Sequence, residues 1–435
     1  MRRILMRAPG WRRGQLLVVV LVSASPALAG PGQADAVSSA PPDGPAARLV
    51  VDVTWADIVR LVDQHPRLAA ARFQIDASRG GVGAAGAVPN PTLEASIGKG
   101  SARTGGASRV ERGLALSMPL GWIAPRGSRI EAAEAELDVA VAEAQALRRD
   151  VMLQLRTLFW TLAAEQSRVT SLAALEAQTL ALVRTVRKRV ENGEARPVES
   201  TRVEIELETV TSELETARTL LSARQAELGL WLGIPAGKTL LAVADLELLP
   251  VAIHRDAAVV KVRTTHPALT LARARTRFLE AEVGAERMAR VPAFGLTGFT
   301  TDELDRRAYG VGLAVDLPLW NWSSGRIAQA EAKLAAGRKQ AEATGLEIEA
   351  TVLDVHAACQ ASVLAATRFR NNVVPRSETA AATVEKTYQL GEGSLLEVID
   401  ARRTLLDSHR LYLGALTRAH IDCSRLGALV GEEPE

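Results

Sequence analysis

Apolar residues recur at helical spacing along two stretches far longer than a compact domain. From Ile130 to Val190 the pattern is one periodic run, followed by Glu191-Asn192-Gly193-Glu194-Ala195-Arg196-Pro197-Val198-Glu199 and a second run from Ser200 to Leu232. At 1.5 Å of rise per residue the first run alone spans about 90 Å. The design returns from Ile327 to Val430, where Leu346, Val352, Val355, Val363, Val373, Val384 and Leu390 stand on a dense alanine background. That spacing suits a narrow buried seam, so each stretch is predicted to be a helical hairpin whose helices bury their seams against one another. Gly391 and Gly393 are expected to end the ascending helix and Ser394 to cap the descending one. Pro375 interrupts the second ascending helix, where a kink or break is expected.

The two hairpins are copies. Gly193 and Gly391 lie 198 residues apart, and so do Glu199 and Glu397. His65-Pro66 recurs as His266-Pro267, Met118-Pro119-Leu120 as Leu317-Pro318-Leu319, and Arg129-Ile130 as Arg326-Ile327. Two halves of roughly 200 residues therefore make one architecture. The first repeat is expected over 54–232 and the second over 256–431, joined by a linker at 233–255.

A second periodicity, of two, appears twice in each half. Leu114, Leu116 and Met118 alternate with Gly113, Ala115 and Ser117, and Tyr309, Val311, Leu313, Val315 and Leu317 with Gly310, Gly312, Ala314 and Asp316. Strands are predicted at about 92–98 with 110–119, and at about 293–301 with 308–318, each pair a hairpin. Small residues opposite apolar ones suit a barrel with a wide wet interior. Four strands cannot close a membrane barrel, whose smallest form has about eight, so the sheet must be shared between copies. A soluble antiparallel sheet with one wet face is the bland alternative.

Residues 1–29 read as a secretory signal, with Arg2, Arg3, Arg7, Arg12 and Arg13, an apolar core at Leu16–Val22 and an Ala27-Leu28-Ala29 cleavage site. No cysteine follows that site to carry a lipid anchor. Residues 30–53 are expected to be a flexible segment. Loss of the five leader arginines takes the formal charge from +2 to −3, which offers nothing to a nucleic acid. Past the leader there is no run of about 18 apolar residues, hence no transmembrane helix.

These features together resemble the TolC-like outer membrane efflux proteins. The resemblance runs from about Thr54 to Gly431 and rests on two strand hairpins and two long helical hairpins in duplicate. Ala87-Val88-Pro89-Asn90-Pro91-Thr92-Leu93, Leu317-Pro318-Leu319 with Gly325-Arg326-Ile327, and Gly193-Glu194-Ala195-Arg196-Pro197-Val198-Glu199 look most like the cobalt–zinc–cadmium-type heavy-metal branch. The implied fold is mainly α with a small β membrane part. Three copies would give a 12-stranded outer membrane β-barrel, four strands per chain, continued by a periplasmic coiled-coil barrel. The implied assembly is a homotrimer in outer membrane lipid, docked on a periplasmic adaptor and through it on an inner-membrane pump of the resistance-nodulation-division type. The chain itself would be the passive outlet.

The resemblance also assigns roles at the hairpin tips. Glu397 and Asp400 match positions of aperture carboxylates, and Glu199 the equivalent site in the first half; threefold symmetry would turn each into an acid ring that favours cation entry. The competing reading is that these acids merely cap helix N-termini. Gly193, Glu194, Leu390, Gly391, Glu392, Gly393 and Leu395 match the region that adaptors contact, or are simply turn residues. Where some members carry an arginine that ties the gate, this chain has Gly393.

Cys359 precedes Gly391 by 32 residues and Cys423 follows it by 32, so an unbroken hairpin sets them at one height. A periplasmic disulfide is one reading, two separate small buried side chains the other. His356 and His420 flank the pair but are offset by about 9 Å of helix rise, unsuited to a shared zinc site. His65 and His266 lack a ligand partner at i+4 and read as structural. Gly81-Val82-Gly83-Ala84-Ala85-Gly86 has the form G-x-G-x-x-G, yet follows a helical pattern rather than a strand. There is no P-loop, H-E-x-x-H or G-x-S-x-G, so neither a catalytic function nor a cofactor is expected. Two other readings stay open: a channel serving drug or other organic efflux or type I protein secretion, and a soluble periplasmic coiled-coil adaptor.

Overall fold

The computed structural model describes residues 50–101, 105, 108–234, 238–247, 249–250, 253–303, 306–317 and 319–431. The expected leader at 1–29 lies outside the described residues, as does the following segment up to residue 49. The last four residues of the expected flexible stretch 30–53 are ordered instead. They form β1 (Val50–Val53), which pairs in parallel with β4 (Thr239–Ala242) from the linker, because Val53 and Leu240 are both buried there.

Each repeat begins with two short helices. In the first, α1 (Trp55–Val62) opens on a capping box in which the Thr54 hydroxyl accepts from the Asp57 amide and the Asp57 carboxylate accepts from the Thr54 amide. Next come α2 (Pro66–Gly86), β2 (Thr92–Gly100), β3 (Arg109–Pro119) and the hairpin of α3 (Arg126–Glu191) with α4 (Pro197–Trp231). The second repeat has α5 (Arg255–Thr265), α6 (Pro267–Met288), β5 (Ala293–Asp302) and β6 (Arg307–Asp316). Its hairpin is α7 (Ser324–Arg368), a π-helical turn (Phe369–Val373), α8 (Val374–Gln389) and α9 (Leu395–Val430). At 66 residues α3 is about 100 Å long.

The helix starts follow from proline and histidine chemistry. Pro66 and Pro267 occupy first turns, where a missing N–H costs nothing. His65 and His266 are the N-caps: each ring Nδ1 accepts the amide two residues on, from Arg67 and Ala268, at 3.2 Å in both cases. Pro375 leaves the helical path continuous, because the preceding π turn absorbs the lost hydrogen bond instead of a break.

The four long strands form one antiparallel sheet in the order β2-β3-β5-β6. The hairpins are therefore not independent, since β3 and β5 pair across the repeats with Leu116 opposite Gly298. The last strand stops at Asp316, short of Leu317, because its partner β5 begins at Ala293, opposite Asp316. Helical packing divides into levels along the hairpins. Leu155, Phe159, Leu162 and Leu228 join Ile58, Val62 and Leu240 in the first repeat, while Val352, Cys359, Leu426 and Val430 join Ala258 and Val262 in the second. Complete burial of each such side chain contributes roughly 1.5–3 kcal/mol. Leu346, Val373 and Leu390, expected in the seam, are exposed in the single chain instead.

Candidate functional site: hairpin tips and an exposed apolar sheet

The two tips are built alike. Each ascending helix ends on a glycine in the left-handed region, Gly193 at φ 77° and Gly391 at φ 85°. In each the next amide reaches back to close the last turn: Glu194 N to Arg189 O at 2.8 Å, and Glu392 N to Thr387 O at 3.1 Å. Gly393 has another reason to lack a side chain, since a Cβ there would lie 3.1 Å from the Tyr388 amide nitrogen. Ser394 then caps α9 in a full capping box with Glu397.

Between the tips lies a closed apolar cluster. Leu182, Val183 and Val186 of α3, Val203 of α4, Tyr388 of α8 and Leu395, Val398 and Ile399 of α9 are all buried in it. Leu395 is only 4% exposed, so this member of the expected docking set belongs to the tip core, whereas Leu390 is 69% exposed.

Ion pairs lock the four helices around that cluster. Arg187 binds Glu204 at 2.9 Å within the first hairpin and Arg402 binds Glu385 at 2.8 Å within the second. Two arginines cross between hairpins. Arg189 donates to the carbonyls of Tyr388 (3.0 Å) and Gln389 (3.3 Å) and lies over the Tyr388 ring; Arg403 donates to the Glu206 carboxylate. The Glu206 hydrogen bond and charge raise the Arg403 pKa above its ordinary value. None of these four arginines stands out in the sequence; the signal available was that Arg187 and Arg189 lie within two turns of Gly193 and Arg402 and Arg403 within about three of Gly391.

The three expected gate acids occupy different settings. The Glu397 carboxylate accepts the Ser394 amide at 3.1 Å and so caps α9, whereas Glu199 pairs with the Arg196 side chain at 3.4 Å in the first turn of α4, where no side chain caps the helix. Asp400 is exposed, one turn further along α9, with Arg403 near enough to interact with its charge. Higher up, Cys359 and Cys423 are joined in a disulfide, with Cα atoms 4.8 Å apart. His356 and His420 do not meet over it. Their Nε2 atoms bond the backbone oxygens of Ile253 and Leu246 in the linker, and the His420 ring stacks on Trp160. Among the described residues no group of three or more His, Cys, Asp or Glu side chains is placed to hold a metal.

The sheet presents two chemically distinct faces. Leu93 and Ile97, Leu114 and Leu116, Leu296, and Tyr309, Val311 and Leu313 share one face by register, and all are exposed. The other carries Glu94, Ser96, Gly113, Ala115, Ser117, Thr297, Gly312 and Ala314, with Phe299 as its large apolar member, its ring filling the space where a Cβ on Gly310 would be. Exposed apolar side chains gathered on one face of a sheet mark a contact surface for lipid or for another protein. Among the described residues no helix is long and apolar enough to cross a membrane.

Known proteins share this plan. The family model described as outer membrane efflux protein matches residues 58–233 and again 258–432. A curated relative, the cobalt-zinc-cadmium resistance protein CzcC of Cupriavidus metallidurans, is 27% identical over 372 residues, 84% of this chain and 86% of the relative. Among solved structures, that of CusC superposes with a TM-score of 0.74 at 17% identity, covering 91% of this chain and 96% of the other. The open state of the Neisseria gonorrhoeae MtrE outer membrane channel gives 0.73 at 16%, covering 87% and 89%. With the family model matching both halves of its length, the chain belongs to the outer membrane efflux protein family.

Proposed function

We propose that this chain is the outer membrane exit duct of a tripartite efflux system whose cargo is heavy-metal cations. The family consists of transport channels rather than enzymes. The observation that carries the duct is the sheet: four strands, one face dominated by exposed Leu, Ile, Val and Tyr side chains, and edges at β2 and β6 that no strand among the described residues pairs. Closing those edges with two further copies gives twelve strands, within the range of membrane barrels. A homotrimer in the outer membrane, with the helical hairpins extending into the periplasm, satisfies the sheet and the exposed helix faces at once. The tips then meet a periplasmic adaptor, and through it a resistance-nodulation-division type pump supplies the energy.

The metal cargo is supported by the similarity to CzcC over most of both chains. At the tip, Asp400 is exposed and takes no part in helix capping, and three copies would place a ring of carboxylates at the aperture that favours cations. Glu397 would add to the ring while capping α9, and Glu199 would add to it while paired with Arg196. The adaptor surface comprises Gly193, Glu194, Leu390, Gly391, Glu392 and Gly393.

The test is retention of zinc, cobalt, cadmium and copper, beside a hydrophobic dye, in cells lacking this chain and in cells given it back. Metal retention reversed by the intact chain supports the proposal. Dye retention with metals unchanged keeps the duct and moves the cargo to organic compounds.

A further inference from the structure

The charged residues of the four-stranded sheet are sorted by face. By register Lys99, Arg112 and Arg307 share the face of Leu114 and Val311, with Asp302 as its one acid. The opposite face carries Glu94, Glu111 and Asp316, with Arg109 as its one cation.

The cations of the apolar face also gather at one end of it. Arg112 stands opposite Asp302 and Asp302 opposite Arg307, so the three form a row across β3, β5 and β6 beside the hairpin turns. Lys99 lies one pleat beyond that row on β2, since Ile97, its neighbour on the same face, is opposite Arg112. Arg307 Nε is 3.6 Å from the Asp302 carboxylate, while among the described residues neither Lys99 nor Arg112 forms an ion pair. One acid thus serves three cations at the margin of an apolar surface. Long cationic side chains in such a place lay their methylenes on lipid and hold their heads at the level of the headgroups.

Lys99 and Arg307 stand on the two edge strands, β2 and β6, at the same end of the sheet. When β6 of one copy pairs with β2 of the next, as a shared barrel requires, Arg307 comes alongside Lys99 of the next copy at each seam. Like charges on adjacent strands repel. An anion between them replaces that repulsion with two attractive contacts, and a guanidinium has the fork geometry that a phosphate takes. On the helix side of this pair, Tyr309 and Val311 of one copy and Ile97 of the next are exposed apolar surface on which acyl chains can lie.

We propose that each seam between copies binds a lipid with an anionic phosphate headgroup, the phosphate held by Arg307 of one copy and Lys99 of the next while Arg112 adds charge alongside. The site exists only in the assembled sheet, so the lipid strengthens the contact between copies. The inference rests on the outlet reading for the shared barrel.

The test uses the full chain purified from outer membranes as its native trimer in neutral detergent. It is titrated with phosphatidylglycerol, with phosphatidylcholine of the same acyl chains, or with inorganic phosphate. Native mass spectrometry counts bound lipid, and thermal dissociation of the trimer reads its effect. One phosphatidylglycerol per seam should be retained, at least about tenfold more tightly than phosphatidylcholine, and it alone should raise the dissociation temperature. Lys99→Gln with Arg307→Gln should abolish the preference while leaving the lipid-free trimer no less stable, because a repulsion is removed and the exposed pair with Asp302 contributes little. A pair with a merely structural role would instead lower lipid-free stability. A trimer that binds both lipids alike, one that inorganic phosphate stabilises as well, or a double variant that keeps the preference overturns the lipid site and leaves the outlet reading untouched. Recovery of the chain as a monomer outside the outer membrane overturns the outlet reading, and the site with it.

Discussion

Arg403 of the second hairpin holds Glu206 of the first, its Nε donating to the carboxylate at 3.0 Å, in one of the two arginine links that cross between the hairpins near the tips. The Glu206 side chain is only 11% exposed while Arg403 is largely open to solvent, so the acid depends on the arginine more than the reverse. Arg403→Ala should therefore destabilise the tip by about 1–3 kcal/mol, because it strands a nearly buried carboxylate. Arg403→Lys should recover part of this but not the two-point grip. The exchanged pair, Glu206→Arg with Arg403→Glu, should restore at least half of the loss in thermal unfolding; a double variant as unstable as the summed singles would show that the pair is not the cause.

Gly391 separates the backbone requirement of the tip from its surface role. At φ 85° an L side chain is strained, yet nothing lies within 4 Å of an added Cβ. Gly391→Asn, which tolerates this region, should leave stability and metal efflux near their original levels. Gly391→Val should cost about 1–2 kcal/mol from strain alone. If the tip docks an adaptor, the bulky variant also abolishes efflux while outer membrane levels of the protein hold. Loss of the protein itself would make the effect structural.

The repeat made most of this architecture legible. Gly193 and Gly391 announced two equivalent tips, and period-two stretches around Leu116 and Val311 announced the strands. The pairing of β3 with β5 was not legible, because register between hairpins leaves no mark on either. Arg187–Glu204 and Glu385–Arg402 occupy matched positions 198 residues apart with the charges reversed, so a search for identical residues passes over a site the structure keeps. The π turn did leave a signal. Arg129-Ile130 and Arg326-Ile327 are offset by 197, against 198 at the glycines, and that difference of one marks an inserted residue in a helix.

The disulfide closes a loop with a sequence separation of 64 residues. Restricting the unfolded chain by a loop of that size contributes about 4 kcal/mol. Cys359→Ala with Cys423→Ala should lower the unfolding midpoint, and a reductant should lower that of the unaltered protein while leaving the double variant unmoved. A thiol assay on the unfolded, unreduced protein should find no free thiol. Two thiols would remove both the bond and this prediction.

The two N-cap histidines make stability depend on pH. Each Nδ1 accepts an amide, which requires that nitrogen to be unprotonated. Burial, and then the nearby Arg149, push the His266 pKa down to about 4; burial and then Arg67 lower that of His65. An unfolded histidine titrates near 6.5, so the unfolded chain takes up protons first as the pH falls. The contribution is complete above about 6.5 and is lost on acidification, for His266 down to about pH 4. Asparagine caps a helix as well as any residue and does not titrate in this range. His65→Asn with His266→Asn should stay within about 1 kcal/mol of the unaltered protein at pH 7.5 and lose less stability between pH 6.5 and 4. Thermal unfolding midpoints across that window decide it, since parallel curves for the two proteins would mean the histidines carry none of the acid sensitivity.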